Sequence, residues 1–262
     1  MLNYDTFFQE WEIFLLILMR IASFVYVAPF FNTANTPRKI KIGFSFFVSI
    51  ICFQLYPEMT VEYSGVIGYA SLVLKEAVVG LLIGAVCNMT MMILHFAGRF
   101  IDMDIGLSMA SVMDPTNNTQ NGIVGTIYYY LVLLILIASD MHKYLISAIM
   151  QTFYHIPAGQ MTVDLSLYST ILDFITQYLL IGFQIALPIF ASMLIINAVL
   201  AIMSRVAPNM NMFVVGMQIK IVVGICVLFL TVVMLPGVSD YLFDLMKTMI
   251  VKVTQGLGGN GI

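Results

Sequence analysis

The chain has 262 residues, of which 61% are hydrophobic and 10% charged, and its formal net charge is −3. Soluble domains carry about 25% charged residues, so this composition excludes an ordinary soluble domain and identifies an integral membrane protein or a subunit buried in a membrane-associated assembly. The net charge is too small to argue for nucleic acid, and there is no basic patch.

The N-terminus, Met1-Leu-Asn-Tyr-Asp, has no basic region, and the first apolar run, 13–31, is too long for a cleaved signal; it reads as the first membrane segment of the mature protein. Arg38, Lys39 and Lys41 precede a second run, 42–56, and assign the first loop to the cytoplasm. Glu58 and Glu62 suit the opposite side. The third run, 65–97, far exceeds the roughly 20 residues that a simple span needs. Within it Glu76, Gly80, Gly84 and Asn88 recur every fourth residue and form one stripe on a helix. Gly80-xxx-Gly84 lets a second helix approach closely, and Glu76 and Asn88 are placed to bond across that contact. The second helix belongs to this chain if the stripe is internal packing, or to another subunit or a polar pathway if it is not.

The stretch Phe96-Ala-Gly-Arg99-Phe-Ile-Asp102-Met-Asp104-Ile-Gly106 begins helically and then loses its pattern. Asp114-Pro115 reads as a turn, and Thr116-Asn117-Asn118-Thr119-Gln120-Asn121 is polar but uncharged. A solvent loop is one account. The other is a plug that seals a pore and then moves, because Met109, Ala110, Val112 and Met113 keep the segment apolar and methionine adapts its shape. Irregular backbone at membrane depth is tolerated only where protein buries it or it lines a cavity.

Two runs follow, 122–139 and the short 143–157, and then the overlong 170–203, in which Pro188 predicts a kink near Gln184. Asn197, Ala201 and Arg205 form a stripe near its end; Gly216, Lys220 and Gly224 form another in the next run, 212–235. The turn between them, Arg205-Val-Ala-Pro208-Asn-Met-Asn211, places a guanidinium and amides close to hydrocarbon, where they are expensive, so it is expected to recognise something. An amphipathic tail spans 238–253, and the glycine-rich end is expected to be flexible. The organisation read here is a helical region over 1–165 with a central loop at 106–121, a two-helix hairpin over 166–253, and a flexible tail over 254–262. Period-two alternation is absent and only helices or closed barrels satisfy a backbone in lipid, so the fold class is all-α, a polytopic helical membrane protein.

Counting every run as one span puts Arg205 on the wrong side, a conflict that fits helices packed inside a larger assembly better than independent spans. No catalytic constellation is visible: His95, His142 and His155 are far apart, and no phosphate-binding loop or Gly-x-Ser-x-Gly occurs. Cys52, Cys87 and Cys226 lie singly in apolar runs and read as buried small side chains. Neither an enzyme nor a cofactor is expected.

Several pieces, in order and spacing, resemble the FliR family, a subunit of the flagellar type III protein export gate related to a subunit of virulence injectisomes. They are Arg20 leading into Ala28-Pro29-Phe-Phe; Thr36-Pro37-Arg38-Lys-Ile-Lys41-Ile-Gly43; Lys75-Glu76-Ala-Val-Val-Gly80-Leu-Leu-Ile-Gly84; Ala97-Gly98-Arg99-Phe-Ile-Asp102 with Gly106 and Asp114-Pro115; and Asn197 to Arg205 followed by Ala-Pro208-Asn-Met-Asn211-Met-Phe-Val-Val-Gly216 and Lys220. Ala201, Asn209 and Gln218 depart from the family's usual residues.

The resemblance implies a non-enzymatic, channel-forming subunit in the bacterial inner membrane at the flagellar basal body, needed for export of flagellar proteins. Its long kinked hairpins would form part of a helical export-gate assembly. The implied partners are the two other small membrane subunits of the gate core, the switch subunit of the export apparatus, unfolded export substrates in transit and the lipid membrane, with no nucleic acid. The implied plug is 106–121, including Gly106, Met109, Met113, Asp114, Pro115, Asn117, Asn118 and Asn121. Glu76, Gly80, Gly84, Asn88, Arg99 and Asp102 would serve inter-helix or subunit contacts; Asn197, Arg205, Pro208, Asn211 and Lys220 would organise the hairpin turn and its neighbours. The competing reading is a secondary transporter or ion channel with a polar site around Glu76, Arg99 and Lys220.

Overall fold

Helix is the only regular structure among the described residues, as a backbone that must satisfy its own hydrogen bonds away from water requires. The computed structural model describes residues 4–32, 36–56, 61, 63–108, 122–207 and 211–258. In chain order the helices are α1 (Tyr4–Val27), α2 (Arg38–Leu55), α3 (Gly65–Ile105), α4 (Ile123–Ala138), α5 (Met141–His155), α6 (Ser166–Val206), α7 (Met212–Thr231) and, after a single 3-10 turn (Val232–Met234), α8 (Leu235–Gly258). The fold is therefore all-α.

Three stretches are long and apolar enough to cross a membrane: Gly65–Ile105, Ser166–Val206 and Val214–Gly258. At roughly 1.5 Å per residue, a 41-residue helix such as α3 or α6 is about 60 Å long, twice the ~30 Å of a hydrocarbon core. With 16 and 15 residues, α4 and α5 are each too short to cross alone. They are separated at Ser139 and Asp140, where Asp140 takes a left-handed conformation (φ 58°) that a short polar side chain tolerates. Pro188 lies inside α6, which continues through it as one helix, and the Ser192 hydroxyl donates to the Pro188 carbonyl at 2.8 Å.

The chain divides into two compact units that do not follow its linear order. Unit 1 comprises residues 1–90, 140–174 and 243–262; unit 2 comprises 91–139 and 175–242. The sequence boundary expected near residue 165 falls within unit 1.

In unit 1, α2 packs on α1, with Phe14 edge-on to Phe46 and Phe53 at 5.7 and 6.1 Å. Leu16, Leu72 and Ala158 are buried together, with Val61, Tyr69 and Val73 packed against them. The connector before α6 is tied to the end of α8: Thr162 N–H donates to the Leu257 carbonyl and Asp164 N–H to that of Gly256, both at 3.0 Å. These bonds satisfy carbonyls in the last turn of α8, and the helix persists through Gly258. Asp164 also accepts from the Ser166 amide at 2.7 Å, at the first turn of α6, and this bond holds its carboxyl below the usual carboxylate range.

In unit 2, contact is made where side chains are smallest. Gly98 of α3 meets the backbone of Gly125 of α4 so closely that a Cβ would collide with it. Gly182 of α6 receives the ring of Phe96, which also packs on Tyr178 and Phe183 at 5.4 and 5.8 Å. Gly216 and Gly224 of α7 face Leu200 and Ile105. Hydrophobic collapse does not drive helices together in lipid, so close backbone approach at small residues is the available means.

Candidate functional site

Two buried polar nodes organise the helices. The first lies in unit 1. Arg20 stands in the middle of apolar α1, is fully buried, and is one of the largest fully buried side chains among the described residues. Its Nε donates to Glu76 Oε2 at 2.6 Å and its Nη2 to Glu76 Oε1 at 3.0 Å, a bidentate fork on α3. Its Nη1 donates to Thr152 Oγ1 at 3.2 Å and to the Ile156 carbonyl at 3.0 Å, and the Phe153 ring lies 3.9 Å from Cζ. The Gly159 amide donates to Glu76 Oε1 at 2.8 Å from a turn with φ +80°, which favours glycine. An isolated charge this deep would be prohibitive; here the pair is satisfied by α1, α3, α5 and the loop after α5.

The stripe on α3 continues this contact. A Cβ on Gly80 would collide with the Arg20 carbonyl and the Ser23 hydroxyl, and one on Gly84 would stand 3.0 Å from the Phe24 carbonyl. Gly80 and Gly84 therefore face α1 of the same chain. Asn88, one turn further along, is half-buried.

The second node lies in unit 2. Gly122 is the N-cap of α4 and has no side chain with which to cap it. Asp102 of α3 supplies the missing group: its Oδ1 accepts from the Val124 amide at 3.3 Å, at the positive end of the helix dipole. Asp102 is 4% exposed. A Cβ on Gly122 would collide with Asp102 Oδ2, so any larger residue there would have to displace the capping carboxylate. At the end of α3, the Gly106 amide (φ +95°) donates back to the Asp102 carbonyl at 3.1 Å. Asp102 thus ties α3 to the first turn of α4. Asp102→Ala is expected to cost about 1–2 kcal/mol by leaving a first-turn amide of α4 without its acceptor. Asp102→Asn, which keeps one carbonyl oxygen, should cost less, as measured by thermal denaturation of the purified protein in detergent.

The other candidate residues are more open. Arg99, Arg205 and Asn211 are exposed; Asn197 and Lys220 are half-buried. Lys220 sits between Gly216 and Gly224 on α7 and interacts electrostatically with Asp104 of α3. Met109, Met113, Asp114, Pro115, Asn117, Asn118, Asn121 and Pro208 lie outside the described residues. Of the trio Glu76, Arg99 and Lys220, Glu76 belongs to unit 1 and the other two to unit 2.

The sequence reading missed Glu76's true partner. Arg20 served there only as a landmark, although a guanidinium amid apolar residues is itself a signal of a buried pair. Thr152 and Gly159 gave no such signal. Gly98, Gly122 and Gly125 were visible as glycines, but the partners that require them were not.

The family model described as "Bacterial export proteins, family 1" matches residues 11–246. Among curated proteins, the chain is 32% identical over 222 residues to "Flagellar biosynthetic protein FliR" of Bacillus subtilis (strain 168), covering 82% of this chain and 84% of that one. The protein of the same name from Buchnera aphidicola subsp. Acyrthosiphon pisum (strain APS) is 28% identical over 233 residues, 88% of this chain and 90% of its own. That of Escherichia coli (strain K12) is 23% identical over 242 residues, 92% of each chain.

Proposed function

Because this chain belongs to the FliR family of bacterial export proteins, family 1, we propose that it is a structural, channel-forming subunit of the flagellar type III protein export gate. It acts in the inner membrane at the flagellar basal body and is needed for export of flagellar proteins and for flagellum assembly. Its role is non-enzymatic. It assembles with the two other small membrane subunits of the gate core and with the switch subunit of the export apparatus, and unfolded export substrates pass the channel it helps to enclose. Residues 106–121 are the plug of the closed channel. Arg205, Pro208, Asn211 and Lys220 organise the hairpin turn and its contacts with neighbours.

The observation that carries this reading is the uncovered apolar surface. Half of the most apolar stretch of α3 is buried within the chain, against only 17% for α6 and 11% for Val214–Gly258. A self-contained transporter of this length would bury far more of its helices against one another. Neighbouring subunits and lipid are what remain to cover them. A transporter site would also need Glu76 free to meet its cargo, whereas both its oxygens already accept hydrogen bonds from Arg20.

Native mass spectrometry on the tagged chain, extracted from its own membranes in mild detergent, tests the assembly. One copy of this chain with several copies of two smaller membrane proteins is the expected species; a lone monomer or homodimer would overturn it. Deleting part of 108–120 is expected to leave the complex assembled and the membrane leaky to small ions. Unchanged permeability in an assembled complex would sink the plug assignment.

A further inference from the structure

A groove between the last turns of α3 and the middle of α6, wholly within unit 2, combines apolar walls with one carboxylate oxygen that lacks a hydrogen-bond partner. Its volume is about 490 Å3. Phe100 and Met103 line it from α3, and Phe183, Leu187 and Phe190 from α6, with Asp104 among them. The groove is open to the outside: Met103 is 67% exposed and Leu187 54%. Phe183, Leu187, Phe190 and Leu194 follow one another at intervals of four, three and four residues, and all are exposed. That spacing is the seam on which a second helix seats.

Asp104 Oδ2 is buried and has no hydrogen-bond partner among the described residues. A carboxylate oxygen in that state costs free energy until a donor reaches it. Lys220 interacts with Asp104 electrostatically but forms no ion pair with it. Phenyl walls favour a cation over other donors. An acyl chain would cover the rings and leave the carboxylate unpaired.

We infer that this groove seats an apolar transmembrane helix of a neighbouring membrane subunit, and that the helix is selected by one arginine or lysine side chain placed against Asp104. Intramembrane charges persist when they face a partner inside the bundle, and an apolar helix with a single cation complements this groove in both shape and charge. The inference rests on the proposed role as a subunit of a membrane assembly, though not on the plug.

The test begins with a photoreactive amino acid at Leu187 in the full-length chain, irradiated in native membranes, with the adduct identified by mass spectrometry. The expected adduct is an apolar helix of a membrane subunit carrying an arginine or lysine within one turn of the linked residue. Asp104→Lys should then reduce recovery of that subunit with the tagged chain by about tenfold or more, and reversing the partner's cation to glutamate should restore it. Adducts with lipid alone, a linked helix without a cation, or unchanged recovery with Asp104→Lys would each overturn the inference. So would restoration by Lys220→Glu, which would make the carboxylate's partner internal. If no membrane subunit is recovered even with the unaltered chain, the assembly reading itself fails, and that outcome is separable from failure of this groove.

Discussion

Arg20→Ala is expected to destabilise the protein by about 3–5 kcal/mol, because it leaves Glu76 as an uncompensated buried carboxylate. The loss is larger than a lost contact, since Glu76 has no route to water: both members of the pair are fully buried. Glu76→Ala should be comparably damaging, with the guanidinium stranded instead. Removing both charges should recover much of the loss, because the desolvation cost disappears with them. Arg20→Met combined with Glu76→Gln should recover more than Arg20→Met combined with Glu76→Leu. The glutamine carbonyl still accepts from the Gly159 amide, whereas leucine leaves that donor unpaired. Thermal denaturation and yield of the detergent-extracted protein measure the series. If the single variants were as stable as the doubles, the pair would carry no structural role.

Gly98→Ala is the second large effect. A Cβ at that position would collide with the backbone N and Cα of Gly125, which cannot swing aside as a flexible side-chain end can. The expected cost is at the upper end of the 1–3 kcal/mol typical of overpacking, and it should separate α3 from α4 where Asp102 caps the latter. Gly125→Ala should be milder, since its Cβ would stand 3.1 Å from His95 Cα. Gly43→Ala in α2 is the control: nothing lies within 4 Å of its Cβ, and alanine's better helix propensity should leave stability unchanged or raise it by up to about 1 kcal/mol. An observed order of Gly98, Gly125, Gly43 in falling cost would support close backbone contact as the device that joins these helices. Equal effects at all three would remove it.

The helix lengths explain why topology does not follow from the apolar runs. Treating each apolar run as one span gave a charge conflict at Arg205. Residues 65–97 and 170–203 are instead parts of 41-residue helices, and α4 and α5 are each too short to cross alone. The rule that one apolar run equals one crossing assumes helices matched to bilayer thickness, and these are not matched.

The sequence by itself determined the helical class, the overlong α3 and α6, the small-residue stripe at Gly80 and Gly84, and membership of the export family. The first three are written in local composition or periodicity, because a helix in an apolar environment is set by its own backbone and a stripe by its own spacing; the family was carried by the resemblance of its ordered motifs. Only the tertiary structure decided what the polar residues touch. Arg20 and Glu76 are 56 positions apart, and Arg20 and Thr152 are 132 apart. Asp102 caps a helix that begins 21 residues later, where Gly122 has no side chain of its own. A buried charge announces that it needs a partner, but the partner is chosen by which helices pack together, and that choice depends on contacts between segments distant in the chain.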